Sequence, residues 1–395
     1  MTRMRPCGGE MSVKANGGVR KGSSERQDPA RAVEQLFDQI DQPDASLGVF
    51  FCSAGYDLKQ LERALSERAR GMPLIGCTSA GEITPAGYVD GAITGFTLAE
   101  PDFRTASAPI FQVNSFSISD GNRIANELRD QLDRISPSAE PGDTFAFLMI
   151  DGLCQCEEIV VSALYSALGE IPLFGASSGS NSHFTKTHVY FDGAFRSDMA
   201  VLTLVRTIHP FKLFTTDHFI PSDTKMVITE ADSASRVVTE INAEPSGPEY
   251  ARLVGLSPDD LTPMIFAMHP VVVKVGGRYY TRSIRNVNED GSLTFFCAVD
   301  KGVVLTLSEG TDIISNLSDT FDKIHQEIGP IQLVIGCECV LRILEIEKKQ
   351  LKSQASRIMV ENNVIGFGSY GEEFQAMHLN QTFTGAAIGI RRDRS

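Results

Sequence analysis

The feature that most constrains this chain is an internal repeat, which has to be recognised before any single element is interpreted. Three times, an apolar strand is followed by a small-residue turn, a helix, a second strand ending in Gly, another small turn and a return strand. The first copy places these elements at 47–51, 58–69, 73–76 and 92–98. The second places them at 145–150, 158–168, 172–175 and 200–204, and the third at 331–335, 340–360, 364–366 and 384–390. The short runs are rich in Val, Ile and Phe and bounded by Gly or Pro, which predicts strands buried on both faces. Between them, Ile159, Val160, Ala163, Leu164, Ala167 and Leu168 recur at helical spacing and form an apolar stripe that can cover a sheet.

Strands alternating with such helices predict an α/β fold of two domains, with mixed sheets built from repeated strand-helix-strand units. The sheets need not be wholly parallel, because several return strands follow turns too short for a crossover. Between the second and third copies the texture becomes extended and β-branched, at 226–229, 271–275, 279–284, 293–298 and 303–307. This predicts a mainly β insert in the second half. Asn288-Glu-Asp-Gly291 within it reads as a hairpin turn, since Asp-Gly supplies the positive φ that a tight turn needs. The expected boundary lies near 206–216, where Thr207-Ile-His-Pro210 breaks the pattern. That gives a flexible tail over 1–28, an N-terminal domain over 29–210 and a C-terminal domain over 211–391.

At 395 residues the chain can bury a large core without a disulfide or structural metal. Its net charge of −14 argues against binding nucleic acid, where affinity comes from clustered Lys and Arg. No apolar run approaches the ~20 residues of a membrane helix, and the first 28 residues carry no apolar block of the kind a signal peptide needs. A cytoplasmic protein is expected. Most of its eight cysteines lie in apolar segments such as Phe50-Phe51-Cys52, which predicts reduced thiols.

Three turns follow the second strands: Cys77-Thr-Ser-Ala-Gly-Glu82, Ala176-Ser-Ser-Gly-Ser-Asn181 and Phe367-Gly-Ser-Tyr-Gly-Glu-Glu373. Their small residues serve tight packing, or let backbone approach a ligand. Two C-x-C pairs, Cys154-Gln-Cys156 and Cys337-Glu-Cys339, each sit between a strand and a helix. A thiol there can be activated, but the spacing is not that of a structural zinc site, and small buried residues account for it. The seven histidines lack metallohydrolase spacing, and no nucleophile elbow, Walker loop or strand-anchored dinucleotide motif is present. No catalytic activity is expected. His269 in Ala267-Met-His-Pro270 and His378 in Ala376-Met-His-Leu-Asn380 lie among apolar residues, where a neutral imidazole can ligate iron or serve as a structural histidine.

The chain resembles the FIST family of bacterial sensory input modules. The likeness rests on Ile75-Gly-Cys-Thr-Ser-Ala-Gly-Glu82, Thr239-Glu-Ile-Asn242, Tyr250, Asp290-Gly-Ser-Leu293, Cys339-Val-Leu-Arg342, Tyr370-Gly-Glu372 and Asn380-Gln-Thr382. Residues His269 to Ile284 and Cys339 to Arg342 are most similar to the stand-alone haem-binding FIST proteins that sense nitric oxide. That resemblance implies non-covalent haem b, nitric oxide as ligand, and a sensor histidine kinase as partner, with cyclic-di-GMP and biofilm behaviour downstream; it leaves a homodimer open. It implies His269 as the iron ligand, with His378, Cys339 and Arg342 as further cofactor-binding candidates. Two other readings compete: a haem-free module that binds a small polar metabolite such as an amino acid, and a thiol or metal enzyme using the C-x-C pairs.

Overall fold

The computed structural model describes residues 18–137, 142–180 and 186–391. Each repeat is longer than its sequence signature, because an opening strand and an opening helix precede the elements recognised above. The first repeat begins with Val19–Ser24 and the Pro29–Ile40 helix, the second with Phe103–Phe111 and the Ile118–Ile135 helix. The third begins with Phe211–Thr216, then accepts the insert, then resumes at the Ile313–Ile328 helix. These helices start where the chain supplies an N-cap: the Asp28 and Asp312 carboxylates and the Ser117 hydroxyl each accept a backbone N–H of the first turn, as Asp57 does for the Leu58–Ala69 helix. The expected boundary at 206–216 therefore falls where the second repeat gives way to the third.

The first strand and second strand of each repeat pair in parallel, and the return strand runs antiparallel to the first. In order, the first strands are Ala45–Ser53, Thr144–Ile150 and Ile331–Cys339, and the second strands are Leu74–Ser79, Leu173–Ser177 and Val364–Ser369. The return strands are Ile93–Ala99, Met199–Thr207 and Phe383–Gly389, each flanked by the opening strand of its own repeat. Mixed α/β layering is thus what the structure has.

The last two strands of each six-stranded sheet come from a neighbour. A short hairpin follows each second strand, and none of the three pairs with its own repeat. The Glu82–Thr84/Gly87–Val89 hairpin joins the third repeat, with Ile83 opposite Gly366. The Val189–Phe191/Ala194–Arg196 hairpin joins the first, with Val189 opposite Cys77. The Glu372–Phe374/Met377–Leu379 hairpin joins the second, with Glu372 opposite Ala176. The exchange is cyclic, so the expected N- and C-terminal domains share two of their three sheets.

The inner faces of the sheets meet in one core containing Phe51, Ile75, Cys77, Phe147, Met149, Phe174, Leu333, Ile335 and Phe367. Phe51 of the first repeat stacks on Phe367 of the third at 4.4 Å. Each outer face is covered by that repeat's own helices in a separate cluster.

Two local expectations change. In the Glu157–Leu168 helix the buried stripe uses Val160, Val161, Ala163, Leu164 and Leu168, while Ile159 is 59% exposed, since two residues before Val161 it points to nearly the opposite side of the helix. The helix expected over 340–360 is two, Val340–Lys348 and Lys352–Glu361. Gln350 between them has φ +58°, a conformation no α-helix continues through.

The insert is an antiparallel sheet curled around its long strand Phe219–Asp232, which pairs with Val304–Gly310 on one side and Val237–Ile241 on the other. Asn288 to Gly291 forms the expected turn between Ile284–Val287 and Leu293–Phe295. No helix among the described residues is long and apolar enough to cross a membrane.

Candidate functional site

The three small-residue turns converge at the centre of the cyclic exchange. Ala80 N donates to Gly368 O at 2.8 Å, Gly368 N to Gly81 O at 2.7 Å, Gly179 N to Thr78 O at 2.9 Å, and Ser177 N to Gly371 O at 2.9 Å. A Cβ on Gly179 would stand 2.7 Å from both Ala80 N and Gly368 O, so only glycine passes there. In the first turn Ser79 donates to Glu82, whose carboxylate also accepts Ala92 N at 2.8 Å. In the third, Ser369 donates to Glu372, which accepts Thr382 Oγ1 at 2.8 Å. Burial lifts Glu82 to about 7 and Glu372 to about 8, so each can stay a neutral acid tying its turn to the return strand. Asn181, the matching position of the second turn, lies outside the described residues.

Beside this meeting point opens a cleft of about 670 Å³. Ser79, Ala80, Gly81, Asp90 and Gly91 of the first repeat form one side, and Val340, Ile343, Leu344 and Glu347 of the third form the other. Ser180 and the Thr262-Pro263-Met264 segment of the insert complete it.

A second feature, which the sequence did not disclose, is a buried ionic group joining the second repeat, the insert and the third repeat. Arg236 Nη2 lies 2.6 Å from both Glu157 Oε2 and Glu158 Oε2. Both carboxylates occupy the first turn of their helix, where its partial positive charge favours them. Next to them His378 Nδ1 sits 2.9 Å from Glu373 Oε2, and Glu373 also accepts Ser177 Oγ at 3.1 Å. Burial works against a charge on His378, but Glu373, Glu158 and Glu157 outweigh it and hold the imidazolium up to about 9. Glu157-Glu158 opening a helix was a visible signal; nothing in the local sequence around Arg236 pointed to its partners.

The four expected cofactor residues do not come together as one set. His378 is cationic, committed to Glu373, and packed so closely on Gly371 that a Cβ there would meet its ring, so it has no lone pair for iron. Cys339 is fully buried, and burial pushes its thiol well above the ordinary range, away from the thiolate a metal needs. Arg342 turns away to Glu338 at 3.0 Å, to His218 and to Asn316. His269 differs. It ends the Pro263–Met268 helix, is half-buried, and burial lowers its pKa, so the ring is neutral. Among the described residues its ring nitrogens have no hydrogen-bond partner, while its carbonyl accepts the Tyr250 hydroxyl at 2.7 Å. A neutral ring nitrogen without a hydrogen-bond partner among the described residues is thus offered by His269 and not by the other three. His269 is not among the residues lining the 670 Å³ cleft.

The C-x-C pairs also separate. Cys154 and Cys156 belong to the outer core of the second repeat, Cys337 to the central core, and Cys339 to a small cluster with Ala267, Phe296, Leu341 and Tyr370. Cys337 and Cys339 lie within their strand rather than after it. Among the described residues no three His, Cys, Asp or Glu side chains are grouped to hold a metal ion.

The model of the FIST N domain matches residues 46–244, and that of the FIST C domain matches 248–375. No curated protein matches the chain. Among solved structures, cyanuric acid hydrolase from A. caulinodans aligns over 95% of this chain and 99% of its own, at 9% identity and a TM-score of 0.38, a likeness too distant to bear on function.

Proposed function

The chain belongs to the FIST family of signal-transduction sensory modules, with its N and C domains in tandem, and on that premise we propose that it is a haem-based nitric oxide sensor regulating a histidine kinase. The observation that carries the reading is His269: a neutral, half-buried imidazole whose ring has no partner among the described residues, standing in the segment that resembles the haem-binding FIST proteins. Bound haem b would supply a ferrous iron that takes up nitric oxide. The chain supplies the neutral nitrogen, and the Tyr250 hydroxyl fixes the backbone that carries it.

His269 also caps a helix, its N–H donating to Ile265 O at 3.0 Å. A displacement of its side chain is therefore transmitted to the Pro263–Met268 helix, which packs on the Val340–Lys348 helix. Ligand binding can shift such an arrangement only by its differential affinity for two states, so the output requires a partner that distinguishes them. For this chain, expected in the cytoplasm, a sensor histidine kinase whose autophosphorylation changes with ligand state is that partner.

The test is the absorption spectrum of the protein expressed with ample iron and haem precursor, recorded ferric, ferrous and after nitric oxide addition. A stoichiometric Soret band that shifts with nitric oxide, is lost in His269→Ala and survives in His378→Gln is expected. A colourless protein that also refuses added haem would sink the proposal in favour of a haem-free module for a small metabolite. Spectra unchanged in His269→Ala would remove His269 from it.

A further inference from the structure

We propose that the cleft between the first and third repeats is a separate ligand site, built for a small organic cation with an apolar chain. This does not depend on the haem reading, since His269, His378, Cys339 and Arg342 do not line it. At about 670 Å³ it has the size of a small-molecule site.

Its walls differ in chemistry. Val340, Ile343 and Leu344 present an apolar face of the Val340–Lys348 helix, and Met264 and Pro263 of the helix packed on it add to the lining. Ile343 is buried, but Val340, Leu344 and Met264 are only half-buried, so apolar surface is left in contact with water. Covering it with hydrocarbon is favourable by roughly 25 cal/mol per Å². The other wall carries the hydroxyl-bearing residues Ser53, Ser79 and Ser180.

The charge is one-sided. Asp90 and Glu347 are the charged residues lining the cleft, and both are exposed carboxylates at its rim. Glu347 stands in the last turn of its helix, whose negative pole adds to the preference for a cation. An ammonium already occupies the position between them: Lys352 Nζ is 2.7 Å from Asp90 Oδ2 and 3.5 Å from Glu347 Oε1. Lys352 reaches this point from the next helix and is 36% exposed, so it can swing into solvent. A ligand ammonium takes its place while the ligand's chain lies along Leu344, Ile343 and Val340. A carboxylate would meet two like charges at the same spot.

Calorimetry on the full chain with hexylammonium, butylammonium and hexanoate tests this. Hexylammonium should bind about fourfold more tightly for each methylene it has beyond butylammonium, and hexanoate should not bind. Asp90→Asn should weaken hexylammonium about fivefold, and Lys352→Met should tighten it by a similar factor, because it removes the resident competitor. Leu344→Trp should fill the cleft and abolish binding at unchanged circular dichroism; should that variant misfold, the Asp90 and Lys352 variants carry the test. Binding of hexanoate as strong as that of hexylammonium, affinity independent of chain length, or weaker binding in Lys352→Met would each overturn the proposal, as would no binding of either ion. Repeating the titration on haem-free and haem-loaded protein separates this site from His269.

Discussion

Arg342 Nη1 lies 2.8 Å from His218 Nδ1 in the protein interior. A guanidinium can only donate, so Nδ1 must be the acceptor and the proton sits on Nε2, which donates to Glu345 at 2.9 Å. His218 is therefore neutral and fixed in one tautomer; burial lowers its pKa and Arg342 adds to the effect, against the pull of Glu345. Through Glu338, Arg342 also reaches Tyr88 of the first repeat's hairpin. The Val340–Lys348 helix thus presents one face to the cleft and the other to a network that clamps the entry of the insert.

Arg342→Met should destabilise the protein by about 3 kcal/mol, because it leaves Glu338 and the His218 acceptor buried without their cation. Arg123→Met, which breaks only exposed pairs, should stay within about 0.5 kcal/mol. Urea unfolding of both measures the difference, and equal effects would contradict the role given to the buried network.

Gly179→Ala should cost at least about 2–3 kcal/mol or prevent folding, since the new methyl meets the backbone of both other repeats where they hydrogen-bond each other. Replacing Gly255, where a Cβ would meet no described atom within 4 Å and φ is +76°, costs only the strain of a left-handed alanine, about 1 kcal/mol. Thermal melts of the two variants compare the effects.

Stability should fall as pH rises from about 6.5 to 9, above the range in which the lowered His218 and His269 act in the opposite sense. His378 is raised from 6.5 to about 9, so its contribution is whole below 6.5 and lost on the way to 9. Glu372 and Glu82, raised from 4.5 to about 8 and about 7, are held neutral by burial and lose stability over 4.5 to 8. In all three the folded state binds the proton more tightly, so the slopes share one sign. Melting temperatures across this range should decline, and His378→Gln should flatten the part between 6.5 and 9. A rising curve would contradict these assignments.

Cys52, Cys77, Cys337 and Cys339 should resist iodoacetamide at pH 7 in the native protein and react fully in urea, because burial both hides the thiols and raises their pKa values. Mass spectrometry of a Cys7→Ser variant reads this directly. Rapid native alkylation at Cys337 or Cys339 would revive the thiol-enzyme reading.

Local pattern was enough to reveal three repeats, the buried strands, the helices beside them and the β insert, because periodicity and turn chemistry are written within a few residues. The family motifs were legible for the same reason: the turns at Ser79, Ser178 and Ser369 need small residues wherever their partners come from. The opening strand and helix of each repeat went unnoticed, since Phe103–Phe111 and Phe211–Thr216 sit at the outer end of their sheets and alternate only weakly. Tertiary structure alone decided which sheet each hairpin joins, because a three-residue strand bonds through backbone groups that carry no address. It also decided that Arg236 would meet Glu157 and Glu158, that His378 would be an imidazolium while His269 stays neutral, and that Asp90 and Glu347 would meet around Lys352 at the rim of one cleft. Charge state and cavity shape depend on groups brought together from distant parts of the chain, as Arg236 is to Glu157 and Lys352 to Asp90, and no local window contains that.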